Sequence, residues 1–362
     1  MVAFNTKVGP GWTVGPGWAL GSGGGGGGGT VTWGSLTTWS SSTTQYSIAY
    51  NGTNYVSMGA NYYNYSTDAV TWTGPTQISG APANTYLDRI AYGNGIFVAA
   101  GNLGGGAGYT YVSKSTTGTS SWSTPALVDS NPFAVSGGGD SAKGLAFGNG
   151  KFVMVGTGSG YGLFTTSTDG VTWTTPSQFN GYSSTFTAGS VIYTGSQFVA
   201  VGNNGSGLPL YTTSADGTTW TTPAAMGSLT YQVQSIAYGA GKYVATLYDG
   251  TFNPNPYWYS TSTNLSSWTA AVSTGLLKPG QNPVTYGNGA WTSVGTVHPG
   301  SYDIPAYSTS VDGVTWTTAT QFTGASTGFS SQMYNVQYLG GKFITVGREL
   351  GGSFNSLIGI GT

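Results

Sequence analysis

Short runs in which apolar and polar residues alternate recur along the chain, separated by turn residues. The stretch Ser-x-Asp-Gly-x-x-Trp occurs at residues 167–173, 214–220 and 310–316. Asp-Gly between runs rich in Thr, Val and Trp is typical of a hairpin with a two-residue type I′ turn, since both turn positions need positive φ. The turn carboxylates, which we expect to be structural, are Asp68, Asp169, Asp216 and Asp312.

A second pattern alternates with the first. It consists of an apolar pair, an aromatic residue, a Gly-rich turn, a second aromatic residue and a short apolar run, as in residues 90–98. Its copies begin at Ile48, Ile90, Leu145, Val191, Ile236, Val284 and Val336. The Trp strands recur every ~40–50 residues, and a repeat of this length with four strand-like runs is typical of propeller blades.

The order of these elements predicts how the ring closes. The last repeat has no fourth strand before residue 362, whereas the strand around Trp33 has no hairpin before it. We therefore predict an all-β fold, a seven-bladed β-propeller of four-stranded blades over residues 30–362. Its last blade is closed by the N-terminal strand, which would leave no open sheet edge.

The repeated turn resembles the Asp-box of sialidase-like and sortilin-like β-propellers, although it is one residue shorter than Ser-x-Asp-x-Gly-x-x-Trp. It is similar to the shortened form that recurs in phage and bacterial surface proteins. The resemblance covers about residues 30–362 and implies the architecture. It implies little about activity, because function depends on sites added to a fold.

Residues 1–29 form a separate Gly/Pro/Trp-rich segment. Gly-Pro-Gly-Trp ends at Trp12 and again at Trp18, and residues 23–29 are all glycine. One interpretation is a flexible tail and linker. The other, which we favour, is an anchoring arm that docks Trp12 and Trp18 into another protein. No apolar run of secretory or membrane-spanning length is present, so we expect neither a signal peptide nor membrane insertion.

The composition narrows the possible chemistry. Only 5% of residues are charged and the net charge is −1, so we expect a neutral polar surface and no nucleic-acid partner. The chain has no Cys and a single histidine, His298, which argues against a thiolate nucleophile, a disulfide and a multi-histidine metal site. We predict no metal and no cofactor.

The predicted connectivity puts the variable connections, between second and third strands and between blades, on one face. Variable loops on a rigid scaffold usually carry binding residues. Aromatic rings beside amides would suit neutral sugars or a neighbouring protein, with little dependence on salt. The candidate binding residues are Tyr62, Tyr63, Tyr86, Tyr161, Tyr182, Trp258 and Tyr302.

No catalytic residue is predicted. Asp249 and Asp303 fall in corresponding loops of consecutive blades, so a carboxylate pair is conceivable. A sialidase-like site, however, would need three arginines around the substrate carboxylate. The chain has only Arg89 and Arg348.

Two function classes follow. We favour a non-catalytic virion protein, such as a phage tail fibre, spike or head decoration, assembled in the host cytoplasm and displayed outside in multiple copies. It would attach to other virion proteins through residues 1–29 and present the propeller to host-surface glycan or protein. The alternative is a polysaccharide-acting glycosidase or lyase on a propeller scaffold.

Overall fold

The computed structural model describes most of the chain. The described residues are 29–39, 43–104, 109–128, 141–158, 161–179, 186–249, 256–277, 283–325, 330–351 and 353–362. They form β-strands and, within these ranges, no α-helix, so the all-β prediction is confirmed. No helix among them could cross a membrane.

The strands are short and follow one another closely. In chain order they are β1 (Thr37–Trp39), β2 (Ser47–Tyr50), β3 (Tyr55–Gly59), β4 (Tyr62–Ser66), β5 (Thr73–Gln77), β6 (Thr85–Gly93), β7 (Ile96–Leu103), β8 (Thr110–Ser115), β9 (Ala126–Leu127), β10 (Ser141–Gly148), β11 (Lys151–Gly158), β12 (Tyr161–Ser167), β13 (Ser177–Gln178), β14 (Phe186–Tyr193), β15 (Phe198–Asn204), β16 (Pro209–Ser214), β17 (Ala224–Ala225), β18 (Gln232–Gly239), β19 (Lys242–Tyr248), β20 (Pro256–Ser262), β21 (Val272–Leu277), β22 (Val284–Gly287), β23 (Ala290–Val297), β24 (Ile304–Ser310), β25 (Thr320–Gln321), β26 (Ser330–Leu339), β27 (Lys342–Gly351) and β28 (Ser353–Gly361).

Neighbouring strands pair antiparallel into sheets. Four sheets are consecutive meanders of four strands: β2–β5, β6–β9, β10–β13 and β14–β17. An eight-stranded sheet contains β18–β21 and β22–β25, and these two groups are joined through one residue pair, Leu277 with Thr296. The last sheet has the order β1-β28-β27-β26. We call each group of four strands a unit, and we call β2, β6, β10, β14, β18, β22 and β26 the first strands.

The first strands contact one another in chain order, and β26 contacts β2. Apolar clusters fill the space between neighbouring units. One of them joins Ile48 and Tyr55 of the first unit to Ile344, Val346 and Ile358 of the last. The chain therefore closes on itself through a packed core rather than through a loose contact.

The N-terminal segment supplies the fourth strand of the last sheet, as the sequence predicts. Thr37 in β1 pairs with Ile358 in β28, and Trp33 forms an isolated bridge to Gly361. The indole of Trp33 is buried and lies 5.0 Å from the ring of Phe322, edge to face. Before this strand, a Cβ placed on Gly29 would lie 2.2 Å from the carbonyl oxygen of Asn288, in the turn between β22 and β23.

Type I′ turns occur in this fold, but not at Asp-Gly. Two-residue turns of this kind join first and second strands in several units; Asn94 (φ 48°) and Gly95 (φ 78°), for example, connect β6 to β7. Another, at Ala60 (φ 49°) and Asn61 (φ 69°), connects β3 to β4. In the Asp-Gly turn only Gly170 has positive φ, at 70°, and β13 begins later, at Ser177. The prediction of a type I′ turn at Asp169 is therefore wrong, because side-chain hydrogen bonds stabilise a longer turn there.

The longer turn is organised by Ser and Asp side chains. Asp169 Oδ1 accepts hydrogen bonds from the N–H groups of Val171 and Thr172, both at 2.8 Å, and Ser167 Oγ accepts one from Gly170 N–H at 2.8 Å. The Val171 and Thr172 N–H groups lower the pKa of Asp169 to about 2. In the fifth unit, Asn264 Oδ1 accepts the equivalent bonds from Ser266 and Ser267.

Lysines join these turns to the preceding unit. Each ammonium donates to the backbone carbonyl of the turn aspartate: Lys151 to Asp216 at 3.2 Å, Lys242 to Asp312 at 2.9 Å and Lys342 to Asp68 at 2.8 Å. The Lys342 bond spans the closure between the last and first units. All of these contacts lie on the face that carries the turns between first and second strands, which we call the turn face.

At the same end of the first strands, glycines lie beneath aromatic rings of the next unit. A Cβ placed on Gly148 would lie 2.1 Å from Cγ of Tyr193, and one on Gly93 would lie 2.1 Å from Cγ of Phe147. Gly239 and Gly287 face Tyr286 and Tyr338 in the same way. The aromatic–Gly pattern in the sequence is therefore a packing contact between neighbouring units.

A pair of substitutions separates this packing contact from backbone strain. Gly148→Ala should lower the free energy of unfolding by about 3 kcal/mol, because the methyl group overlaps the Tyr193 ring in a close-packed core. Gly150→Ala, two residues away, should cost only about 1 kcal/mol, because its methyl group meets nothing within 4 Å and only the positive φ (73°) is unfavourable. Denaturant unfolding of both variants measures the difference; equal losses would contradict the packing role.

The turn carboxylates should make stability depend on pH. Their pKa values are lower in the folded chain than the value of about 3.9 expected for an unfolded aspartate. Their contribution is therefore present above about pH 4 and is lost as the pH falls towards 2.

Replacing Asp68, Asp169, Asp216 and Asp312 together by Asn, the residue found naturally at position 264, keeps an acceptor and removes the charge. The difference in Tm between wild type and this variant should shrink as the pH is lowered from 5 to 2. Parallel Tm curves over that range would show that the turn carboxylates are not responsible.

Candidate functional site

The face opposite the turn face is where second strands end and first strands begin; we call it the loop face. Here the first strands depart from regular pairing. The register shifts once in each of five of them, so that Asp88, Lys143, Gly189, Gln234 and Tyr334 are passed over in the ladder. A β-bulge of this kind leaves a residue unpaired and redirects its side chain.

The bulge residues occupy equivalent positions. Each stands four residues before the aromatic residue near the end of its strand, as Lys143 does before Phe147 and Tyr334 before Tyr338. Tyr46, which precedes β2 and donates its N–H to the Met58 carbonyl, stands at the corresponding place in the first unit. Side chains of very different chemistry are thus presented at one level of the ring of first strands.

A cavity of about 420 Å³ lies at this level. Its volume is within the range of ~300–1,000 Å³ typical of small-molecule sites. Its walls come from the first strands and from the ends of two second strands. The lining residues are Tyr46, Arg89, Lys143, Thr157, Thr187, Ala188, Gly189, Asn203, Val233, Gln234 and Tyr334.

Two tyrosines form one side of the cavity. The rings of Tyr46 and Tyr334, from the first and last units, lie 5.0 Å apart and are tilted by 45°. Tyr334 donates its phenol proton to Gln332 Oε1 at 2.6 Å, and Arg348 Nη2 donates to the same oxygen at 3.3 Å. Burial raises the pKa of Tyr334, so its phenol stays protonated at neutral pH.

Cations form the adjoining side. Arg89 Nε donates to the Lys143 carbonyl at 2.8 Å, and Nη1 lies 2.8 Å from Asp88 Oδ1. The Arg89 side chain is 10% exposed, so this ion pair fixes the guanidinium in place. Lys143, at the neighbouring bulge, is exposed.

The single histidine lies elsewhere on the loop face, between β23 and β24. His298 Nδ1 is 3.0 Å from Asp303 Oδ1, and the Asp303 side chain is 3% exposed whereas that of His298 is 35% exposed. The Asp303 backbone carbonyl accepts a hydrogen bond from Ser331 N–H at 2.8 Å, at the start of β26. Asp303 thus holds the imidazole beside the strand that carries Tyr334.

The aromatic residues proposed from the sequence lie in several environments. Tyr86, Tyr161 and Tyr302 are between 41 and 48% exposed, and Tyr62 is half-buried. Tyr63 is buried against Trp122, and its hydroxyl donates to the Thr119 carbonyl at 3.2 Å. Trp258 is half-buried and stacks on Tyr231, with ring centroids 5.2 Å apart.

None of these residues lines the cavity, and their role in binding stays a prediction. Tyr182, Trp12 and Trp18 lie outside the described residues. The turn carboxylates are on the opposite face. No cluster of three His, Asp or Glu side chains suited to a metal occurs in the described parts of the chain.

The cavity residues were missed because neither composition nor loop length singles them out. Lys143, Gln234 and Tyr334 lie within first strands and not in loops. The sequence did contain one signal, which is the position of each residue within its repeat. When the repeats are aligned on the aromatic–Gly pattern at the end of each first strand, one aligned position holds Tyr46, Asp88, Lys143, Gln234 and Tyr334.

Comparison with known proteins shows the fold. No protein-family model matches the chain, and no curated protein matches its sequence. A lectin from Burkholderia pseudomallei, BP39L, matches with a TM-score of 0.59 and 13% identity over 84% of this chain and 90% of the lectin. A Dyadobacter fermentans protein of unknown function matches with a TM-score of 0.54 and 13% identity, over 91% of this chain and 98% of that protein.

Sialidase from Trypanosoma rangeli matches with a TM-score of 0.51 and 14% identity, over 75% of this chain and 53% of the sialidase. The chain therefore matches only about half the length of these sialidases. The sialidases and the lectin are propeller-type proteins, and at this identity the likeness is one of fold alone.

These comparisons correct the expected function. The prediction of a virion structural protein is wrong, since the matching structures reported above include sialidases and a lectin and no virion protein. A neutral surface rich in Ser, Thr, Gly and Asn is a property of composition, and it does not distinguish virion proteins from other glycan-facing proteins. Of the two classes predicted from the sequence, the glycosidase alternative fits these neighbours better. The fold that the chain shares with them is the β-propeller.

Proposed function

We propose that the chain is a seven-bladed β-propeller that binds a saccharide in the cavity at the loop face. The blade count is supported by the unbroken sequence of contacts among the seven first strands, from β2 around to β26 and back to β2. It is also supported by the eight-stranded sheet, whose two halves share only the Leu277–Thr296 pair and have the same strand order. We also propose that the Ser-x-Asp-Gly turn is a shortened form of the Asp-box.

The observation that carries the proposed function is the mixed lining of the cavity. Tyr46 and Tyr334 offer aromatic surface, and Gln234 offers both an amide donor and an acceptor. Sugars present apolar C–H faces and peripheral hydroxyls, so they are held by a few placed polar groups beside aromatic rings. The lectin match, which covers most of both chains, supports the same function.

The exposed tyrosines complete the proposal. Tyr86, Tyr161 and Tyr302 lie on the same face as the cavity but outside it. They would contact further units of a longer glycan. Tyrosine suits this role because it gives a large contact area at a small cost in conformational entropy.

Substitutions in the cavity test the site. Tyr46→Ala and Gln234→Ala should each weaken binding of a captured oligosaccharide about tenfold, equivalent to ~1.4 kcal/mol for one lost stacking or hydrogen-bonding contact. Tyr302→Ala should weaken it less. Titration calorimetry on oligosaccharides selected from a glycan array gives the three affinities. If Tyr302→Ala abolishes binding while Tyr46→Ala and Gln234→Ala keep the affinity of wild type, the saccharide binds at the exposed tyrosines and not in the cavity.

Hydrolysis is the second candidate function, and the His298–Asp303 pair favours it. A buried carboxylate at Nδ1 orients an imidazole so that Nε2 can act as a general base or acid. Tyr334 does not favour nucleophilic catalysis, because a nucleophile needs a lowered pKa and an adjacent base. Its pKa is raised, and its partner Gln332 cannot take up a proton.

The hydrolysis candidate predicts a pronounced effect at His298. Release of reducing ends from a bound oligosaccharide should fall at least 100-fold in His298→Asn, within the range of ~10²–10⁴ typical of general acid–base catalysis. Affinity for the same oligosaccharide should be unchanged. No release by wild type, or equal release by both proteins, would leave saccharide binding as the function.

A further inference from the structure

Three exposed apolar side chains occupy equivalent positions on consecutive units of the loop face. Tyr109, Tyr161 and Leu208 are 38, 41 and 43% exposed and belong to the second, third and fourth units. Each stands three residues before the third-strand residue that pairs with the middle of the second strand. Those pairs are Ala100 with Val112, Val155 with Phe164 and Val201 with Tyr211. We call the three exposed side chains the apolar row.

The same position is not exposed in the other four units. Its residues there are Ala60, Pro256, Ile304 and Asn355, and each of them is half-buried or buried. Single exposed apolar residues are normal on a protein surface, whereas a contiguous group of them marks an interaction site. The apolar row is therefore a feature of one side of the ring, over its second to fourth units.

Backbone hydrogen bonds hold the row in place. The Leu103 N–H, at the end of β7, donates to the Tyr109 carbonyl at 2.8 Å. In the same way the Asn204 N–H, at the end of β15, donates to the Leu208 carbonyl at 2.9 Å. Tyr161 belongs to the ladder between β11 and β12. Exposed side chains on a fixed backbone lose little conformational freedom when they bind a ligand.

Two asparagines fix the spacing of the units beside the row. Asn102 Oδ1, in the second unit, accepts a hydrogen bond from the Ala142 N–H of the third unit at 3.0 Å. Asn203, in the fourth unit, accepts from the Val233 N–H at 2.8 Å and donates to the Val233 carbonyl at 3.0 Å, in the fifth. The members of the row are thus held at fixed separations around the ring.

The row is continuous with the wall of the cavity. Thr157 and Asn203, at the ends of two second strands, line the cavity. Their partners in the ladder directly follow Tyr161 and Leu208 in the chain. A ligand that leaves the cavity over the third or fourth unit therefore meets the row next.

The chemistry of the row favours an uncharged ligand. No charged residue occurs in 109–112, 161–164 or 208–211, so an ion bound there would lose hydration without gaining an opposite charge. Asn204 Oδ1 accepts hydrogen bonds from the N–H groups of Ser206 and Leu208, at 3.0 and 2.9 Å. Its Nδ2 group donates to none of the described residues and can donate to a ligand hydroxyl. Apolar surface beside an amide donor suits sugar rings.

We propose that the apolar row binds successive sugar residues of a linear, uncharged polysaccharide, one part of which occupies the cavity. This inference rests on the proposed function and names its ligand class as a chain of neutral sugars and not a single terminal sugar. A row that repeats from unit to unit matches a ligand that repeats from residue to residue. Tyr302 belongs to the sixth unit and lies outside this path.

The test uses the full chain and neutral oligosaccharides of two, four and six units. The series are β-1,4-linked glucose, β-1,4-linked mannose, β-1,4-linked N-acetylglucosamine and α-1,4-linked glucose. Calorimetry measures each affinity at 50 mM and 500 mM salt. In at least one series the six-unit compound should bind about tenfold more tightly than the two-unit compound. This gain should be the same at both salt concentrations, because uncharged contacts are not screened.

A matched pair of variants assigns the gain to the row. Tyr161→Ala and Tyr302→Ala remove tyrosines of similar exposure, 41 and 43%, from the third and sixth units. Tyr161→Ala should lose most of the gain with length and keep the affinity of wild type for the two-unit compound, which the cavity holds. Tyr302→Ala should retain most of the gain. Leu208→Ala should behave as Tyr161→Ala does, and Tm checks the folding of all three.

The outcomes separate the two proposals. If no neutral series binds more tightly with increasing length, or if Tyr302→Ala loses as much of the gain as Tyr161→Ala, the polysaccharide path over the row is wrong. Saccharide binding in the cavity then stands or falls with Tyr46→Ala and Gln234→Ala. If no oligosaccharide binds and no glycan on an array is captured, both proposals are wrong.

Discussion

The fold depends on how closely neighbouring first strands approach one another at the turn face. Gly93, Gly148, Gly239 and Gly287 have no side chain because an aromatic ring of the next unit occupies the space that a Cβ would fill. Each ring covers the backbone of the preceding unit. Packing of this density does not tolerate an added methyl group, so the spacing of adjacent units is fixed at one end of every such first strand.

Because the spacing is set at the turn face, the other end of each first strand is free to vary. The bulge residues are Asp, Lys, Gly, Gln and Tyr at equivalent positions, and they make no contribution to the ladder in their own strand. The same backbone irregularity thus places different residues at one level, and four of the five bulge residues line the cavity. Within a single first strand, the structural glycine at the turn face and the candidate binding residue at the bulge are therefore only five residues apart.

Much of the architecture could be predicted from the sequence, because its repeats record backbone constraints. Seven aromatic–Gly patterns mark the first strands, and the unpaired strand near Trp33 indicates that the N-terminal segment completes the last sheet. The turn type at Asp169 could not be predicted from the dipeptide alone. Ser167 and Asp169 satisfy the N–H groups of a longer turn, and a hairpin rule based on φ preferences does not include those bonds.

The candidate site was much less predictable. Tyr46, Lys143, Gln234 and Tyr334 are distant in sequence and meet only because the ring closes. Tyrosines in predicted loops, such as Tyr302, are easily recognised in the sequence. A bulge inside a strand is not, because it does not change the local pattern of apolar residues.

The position of Gly29 shows at which face the N-terminal segment joins the ring. It lies against Asn288 on the turn face, so the chain enters the ring on the side opposite the cavity. If residues 1–28 join the ring to a surface or to another protein, the cavity faces outward from that attachment. Copies mounted side by side would then all expose their cavities in the same direction, and an extended polymer could engage several of them at once without any contact between the rings.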